Sequence, residues 1–132
     1  MTYLLDTNTC IKFLTGRSES VRKRIESTDA SEMALCSVVK AELLHGAFKS
    51  ARREANLERL ERFFERFVSL PFDDSAAEIY GSIRARLEGQ GRPIGPNDLL
   101  IAAIALSNQR TLVTHNLGEF SRIQELSLED WE

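Results

Sequence analysis

The chain has 132 residues, of which 42% are hydrophobic and 28% charged, and 17 basic against 20 acidic side chains leave a formal net charge of −3. That composition suits one packed soluble domain and excludes a disordered chain. The longest apolar run, Leu99–Leu106, is far short of the about 20 residues that a membrane-spanning helix needs, and the acidic balance means that any contact with nucleic acid must rest on local charge.

Thr2–Leu5 is a short apolar run ending at Asp6 and predicts a buried strand. The N-terminus has no basic segment ahead of this run, so no secretory signal is read and a cytoplasmic protein is expected. Thr7–Thr15 predicts a first helix stopped by Gly16, and Ser20–Glu26 a second carrying Val21 and Ile25. Met33–Cys36 predicts a second buried strand. Ser37 is placed to cap the next helix, Val38–Lys49, with an apolar stripe of Val39, Leu43, Leu44, Ala47 and Phe48. Cys10 and Cys36 have no metal-type spacing and read as buried thiols.

Ala51–Phe67 predicts an amphipathic helix, with Leu57, Leu60, Phe64 and Phe67 recurring at steps of three and four. Val68–Leu70 is a third strand stopped by Pro71. Asp73 or Asp74 caps a helix to Glu88, which Gly89 and Gly91 end. Pro96 is a natural first residue for a helix to Asn108 that is apolar on nearly every side, and hence central. Thr111–Thr114 is a fourth strand, and the segment ending in Leu128 and Trp131 offers a short edge strand. Strands alternating with helices predict an α/β fold, a parallel sheet of four to five strands with helices on both faces.

In such a sheet, ligands bind beyond the carboxyl ends of the strands. Asp6 ends the first strand, Glu42 lies early in the helix after the second, and Asn116 and Glu119 follow the fourth. Asp98 lies in the first turn of the central helix, on one face with Ile101, Ala102 and Ala105, where an acid is costly unless compensated. Taken singly, Asp6 reads as a helix cap, Asp98 as a first-turn acid and Glu42 as a solvated residue. Taken together they read as a site. Two carboxylates about 4 Å apart repel by roughly 4 kcal/mol at an effective dielectric near 20, whereas a helix terminus returns only about 0.3–1 kcal/mol. A cation among all-oxygen ligands resolves the conflict, and a hard ion, Mg²⁺ or Mn²⁺, fits that donor set. Such an ion activates water for phosphodiester hydrolysis.

The residues just named sit in a pattern that resembles the PIN domain, specifically the VapC-type toxin ribonucleases of bacterial toxin–antitoxin pairs. The carriers are Tyr3-Leu4-Leu5-Asp6-Thr7-Asn8, Ser37-Val38-Val39-Lys40-Ala41-Glu42-Leu43, Arg92 through Ala102, Leu112 through Phe120, and Glu129-Asp130-Trp131. The resemblance implies one PIN domain over 1–132, a three-layer sandwich. It implies a toxic endoribonuclease with Mg²⁺ held by Asp6 and Asp98, Glu42 contributing, and Mn²⁺ able to substitute. Implied partners are an RNA substrate, a cognate VapB-type antitoxin whose tail covers the active-site groove, and a second copy in a homodimer. Members with this motif set cut tRNA, including initiator tRNA in the anticodon stem-loop. Where many PIN domains carry a fourth acid, this chain has Asn116, with Glu119 three residues on. Thr7, Asn8, Thr114 and Asn116 offer neutral oxygens that orient ligands or touch phosphate.

Two rival functions are weighed. A haloacid-dehalogenase-like phosphotransferase also places an Asp after its first strand, but wants a second acid where this chain has Asn8. A non-catalytic module of PIN shape would keep the acids without using them. Glu42-x-x-His45 has the spacing of a di-iron motif, which needs two copies on a helical bundle. Arg17, Arg22, Lys23 and Arg24 form one basic cluster and Arg84, Arg86 and Arg92 another, each either a solvated helix face or a phosphate track. His115 reads as a surface loop residue or a phosphate contact. Phe48, Phe63, Phe64 and Phe67 exceed what one helix face needs, so part of the set is core and part a dimer or antitoxin surface.

Overall fold

The computed structural model describes residues 2–132. Met1, which begins both the N-terminal reading and the expected domain span, lies outside them. The sequence alternation folds as β1 (Tyr3–Leu5), α1 (Thr7–Thr15), α2 (Glu19–Ser27), a 3₁₀ turn at Ala30–Glu32, β2 (Met33–Cys36), α3 (Ser37–Lys49) and α4 (Arg53–Phe64). There follow β3 (Val68–Leu70), α5 (Asp74–Gly89), α6 (Pro96–Ser107), β4 (Thr111–Val113), α7 (Leu117–Phe120) and β5 (Leu128–Glu129).

All four strand pairings are parallel, in the order β3-β2-β1-β4-β5. Tyr3 is thus in register with both Met33 and Thr111. Side chains of a strand alternate between the two faces of its sheet. β1, β2 and β4 are buried at every position, so both faces are covered by helices. β3 and β5 are the partly exposed edges. Because β1 lies in the middle, the residue that follows it emerges at the centre of the carboxyl edge. That residue is Asp6.

The core is continuous across the sheet. Leu4, Leu5, Leu35, Leu112 and Val113 of the strands are fully buried, together with Ile25 of α2, Val39 of α3 and Leu87 of α5. α6 supplies Leu99, Ile101, Ala102, Ala103, Ile104 and Ala105. Its alanines permit close packing from several sides, and Pro96 starts it where no backbone N–H is required.

The structure corrects the sequence reading at several points. Ser37 is the first residue of α3 and not its cap. Cys36 occupies the cap position without a side-chain bond, and the Ser37 hydroxyl donates to Leu70 O at 3.5 Å. The α3 stripe is narrower than expected, since Phe48 is 53% exposed and Leu44 half-buried. α4 stops at Phe64, because Arg66 and Phe67 already bond to carbonyls three residues back as the chain turns into β3. That tightening rotates Phe63 into the core and leaves Phe64 half-buried. Asp73, not Asp74, caps α5, its carboxylate accepting from Ala76 N at 3.0 Å. α7 was not anticipated. Trp131 is buried against Tyr3 edge-on, which anchors the C-terminal segment.

Replacing Ile104, which is completely buried, by Ala should lower the unfolding free energy by about 2–5 kcal/mol. Phe48→Ala, at an exposed position, should change it by less than about 0.5 kcal/mol. Chemical denaturation of the purified variants measures both.

Candidate active site

Asp6 reaches the carboxyl edge on rigid backbone. Its N–H donates to Val113 O at 3.1 Å, and its extended conformation turns the chain from β1 into α1. Its carboxylate accepts from Thr9 N at 2.8 Å, capping α1, so the cap reading of this residue is correct as far as it goes. The carboxylate also accepts from the hydroxyl of Thr114, which is completely buried. Asp6 itself is only 5% exposed, and burial pushes its pKa up despite these donors, with Glu132 adding a repulsive charge.

Glu42 faces the same edge from α3. The hydroxyl of Thr7, in the first turn of α1, donates to its Oε1 at 2.6 Å. Asp98 comes from the first turn of α6. Burial raises its pKa to about 6, and the charges of Glu119, Asp6 and Glu42 push in the same direction. Every charged group acting on Asp98 is another acid. Asp6, Glu42, Asp98 and Glu119 therefore share one neighbourhood, although they are carried by the β1–α1 junction, α3, α6 and α7.

Glu119 is held from two sides. Oε1 accepts from Gly95 N at 2.6 Å and Oε2 from the Asn116 side-chain amide at 3.1 Å. These donors hold its pKa below the ordinary carboxylate range. Gly95 is the cap residue of α6, and a Cβ there would sit 3.6 Å from Glu119 Oε1 and 4.0 Å from Asp98 Oδ2. The Asn116 N–H donates to Thr114 Oγ1 at 3.0 Å, so one hydroxyl links the start of the β4 exit to Asp6.

The structure thus brings together Asp6, Glu42 and Asp98 with Thr7, Thr114, Asn116 and Glu119. Asn8 is exposed and bonded to none of them. Among the described residues, the group of three whose ligating atoms lie within 4.8 Å of one another is His115, Asp130 and Glu132, so no three of the four acids are that close together. His115 bonds Asp130 at 2.8 Å on the exposed surface, and the two acids raise its pKa. His45 is exposed and the fold is no helical bundle, which removes the di-iron reading.

Sequence reasoning missed Thr9, whose N–H fixes Asp6, and Glu132, whose charge reaches it. A threonine beside Cys10 on the inward side of α1 was the available signal for the first. The second depends on the C-terminal segment folding back. Of the basic clusters, Arg22 pairs with Glu19 and Glu26 and Arg24 with Glu129, so the α2 part of the first is a compensated helix face. In the second, Arg84 pairs with Glu88, away from Arg86 and Arg92.

The pKa of Asp98 makes its ionisation a stability effect. Folding favours the protonated acid, so the penalty is absent below about pH 4, grows as the pH rises towards about 6, and is complete above that. In EDTA, Asp98→Asn should therefore melt at a higher temperature than the parent chain near neutral pH. The gap should close towards about pH 4, as melting curves across that range will record.

A PIN domain family matches residues 3–126 of the chain. The tRNA(fMet)-specific endonuclease VapC of Salmonella typhimurium is 42% identical over 98% of this chain and 97% of its own length. Ribonuclease VapC2 of Rickettsia felis is 39% identical over 100% and 99%. The crystal structure of DNA-bound VapBC from Salmonella typhimurium superposes with a TM-score of 0.93 at 41% identity, covering 100% of this chain and 99% of that one. With matches of this depth over the full length, and with the acids lying where the fold focuses its site, the chain belongs to the PIN-domain family, in its VapC ribonuclease branch.

Proposed function

We propose that this chain is the toxic endoribonuclease of a VapBC-type toxin–antitoxin pair, one PIN domain over 1–132 that hydrolyses RNA phosphodiester bonds with a divalent ion. The observation that carries the reading is the set of charges around Asp98: three further acids and no base, on separate elements. Such a set attracts a cation, which offsets the cost of ionising Asp98 among other acids. Its donors are all oxygens, and Cys10 and Cys36 are buried thiols whose pKa values burial raises. The residues therefore fit a hard ion, Mg²⁺ with Mn²⁺ as substitute.

Asp6, Asp98 and Glu42 would hold it. When bound, the ion supplies a Lewis acid that activates water and offsets phosphoryl charge. The chain supplies the rest. Thr9 N–H and the Thr114 hydroxyl fix Asp6, and Thr7 fixes Glu42, so two carboxylates are oriented before any ion arrives. Glu119 has both oxygens engaged and acts by holding Gly95, and with it the start of α6, beside Asp98. Hydrolysis by water leaves a 3′-hydroxyl and a 5′-phosphate. The phosphotransferase alternative lacks its second acid, since Asn8 is neutral and exposed, and no lysine acts on Asp6.

The printed name of the Salmonella relative supports tRNA, and initiator tRNA within that class, as substrate. VapBC structures among the relatives support a VapB-type antitoxin as partner. An apolar groove of about 340 Å³ between α1, α3 and α4, lined by Ile11, Leu14, Leu43, Ala47 and Leu60, suits a partner helix. A homodimer and a cytoplasmic location complete the reading. No helix of the described residues is long and apolar enough to cross a membrane.

Purified chain should cut RNA in Mg²⁺, stop in EDTA and recover with Mg²⁺ or Mn²⁺. Asp6→Ala and Asp98→Ala should fold normally and lose more than about 10²-fold in single-turnover rate, beyond what an orienting partner costs. Mapping of RNA 5′ ends in cells after brief expression, against the Asp6→Ala control, should give one dominant site in one tRNA. Full cleavage by Asp98→Ala would refute the assignment. Thr7→Val, which leaves Glu42 unoriented, should reduce the rate by about 10–100-fold without lowering the melting temperature appreciably.

A further inference from the structure

The surface between the ends of α5 and α7 is shaped by one turn. At the end of α5, Gln90, Gly91 and Arg92 return their N–H groups to the carbonyls of Arg86, Glu88 and Leu87. Gly91 closes this turn at φ 67°, a left-handed conformation suited to glycine, and directs the chain off the helix at Arg92. Arg122, just past α7, contributes to the opposite wall. Between them lies a cleft of about 320 Å³ lined by Arg86, Gln90, Arg92, Ser121, Arg122 and Gln124. Every one of these side chains offers a hydrogen-bond donor and none is an acid, in a chain whose net charge is −3.

The three arginines differ in commitment. Arg86 is tied to Glu125 by two bonds of 2.8 Å. Arg122 donates to the neutral carbonyl of Pro93 at 2.6 Å. Arg92 is exposed, and among the described residues its side chain enters no ion pair or hydrogen bond. Two cationic groups thus face the cleft without a carboxylate bonded to them.

The cleft is also coupled to the acids. Arg122 holds Pro93 O, and Glu119 holds Gly95 N. Both contacts bind the α7 region to the segment 92–98, which begins in the cleft with Arg92 and ends at Asp98. A ligand spanning this segment touches donors at one end and the acidic site at the other.

We propose that this cleft binds the RNA backbone beside the scissile bond, with a phosphate between Arg92 and Arg122 and with Gln90, Ser121 and Gln124 reaching the attached nucleotide. The proposal rests on the ribonuclease reading above and adds the path of the strand. An anionic polymer rich in acceptor oxygens is the ligand that this donor set matches, and arginine contacts to phosphate position a strand without reading its sequence.

The test uses the full chain carrying Asp98→Asn, which silences cleavage, and a fluorescent RNA stem-loop titrated between about 50 and 200 mM salt. Adding Arg92→Ala, which breaks no hydrogen bond or ion pair of its side chain, should weaken binding at low salt several-fold. It should also flatten the slope of log affinity against log salt by about 0.7–0.9, the share of one phosphate. Arg22→Ala, in the compensated cluster, should leave the slope unchanged. In the cleaving chain, Arg92→Ala should raise the concentration for half-maximal single-turnover cleavage and leave the plateau rate nearly intact. An unchanged slope, or no salt-sensitive RNA binding, overturns the proposal. So does a loss of affinity for the antitoxin with RNA binding intact, which would assign the cleft to the protein partner. Failure of the ribonuclease reading is distinguishable, because the chain with Asp98 restored would then cut no RNA in Mg²⁺ whatever the slope.

Discussion

Four carboxylates gathered at the carboxyl edge of one parallel sheet are the constraint around which this molecule is arranged. The fold gathers them by placing β1 in the middle, so that Asp6 emerges between the ends of β2 and β4, with Glu42 and Glu119 carried on the elements that follow those strands. Helix starts contribute a little: Asp6 caps α1 and Asp98 lies in the first turn of α6. At about 0.3–1 kcal/mol each, those terms are small beside the cost of burying carboxylates close to other acids. Burial raises the pKa values of Asp6 and Asp98, and at Asp98 the charges of Glu119, Asp6 and Glu42 add to it.

Orientation is solved separately from charge. Each acid except Asp98 is pinned by a neutral donor: Asp6 by Thr9 and Thr114, Glu42 by Thr7, Glu119 by Gly95 and Asn116. The exit from β4 is the hub, since Thr114 serves both Asp6 and the Asn116 N–H. Such donors lower a carboxylate's pKa where burial raises it: they oppose burial at Asp6 and hold Glu119 below the ordinary range. The least restrained of the four, Asp98, is the one whose proton affinity rises to about 6.

The fold was largely legible because its signals are local. Apolar runs closed by Asp6, Ser37 and Pro71 marked strands whose observed ends agree within a residue, and Pro96 marked the start of α6. The acids were legible for a related reason: strand ends predict the carboxyl edge, and an acid on the apolar face of α6 demands an explanation. What escaped was tertiary. The end of α4 depends on how the chain must turn to enter β3, which its periodicity does not encode. The four-residue α7 is too short to show a period. The cluster of Arg84, Arg86 and Arg92 was legible as a solvated face or a phosphate track, but Arg122, which lines the cleft with Arg92 from thirty positions away, has no local mark.

Asn116 and Glu119 show how a missing charge can be relocated. An acid directly after β4 would add a fourth anion near Asp6. Here that position is neutral, and its amide reaches Glu119, whose other oxygen accepts from the backbone at the entrance to α6. Glu119 remains charged because two donors stabilise it, and its charge is the largest of those acting on Asp98. It therefore strengthens the field that attracts a cation while its oxygens stay occupied. On this argument the neutral Asn116 does not weaken the site. The fourth negative charge sits instead on Glu119, which holds the entrance to α6 beside Asp98.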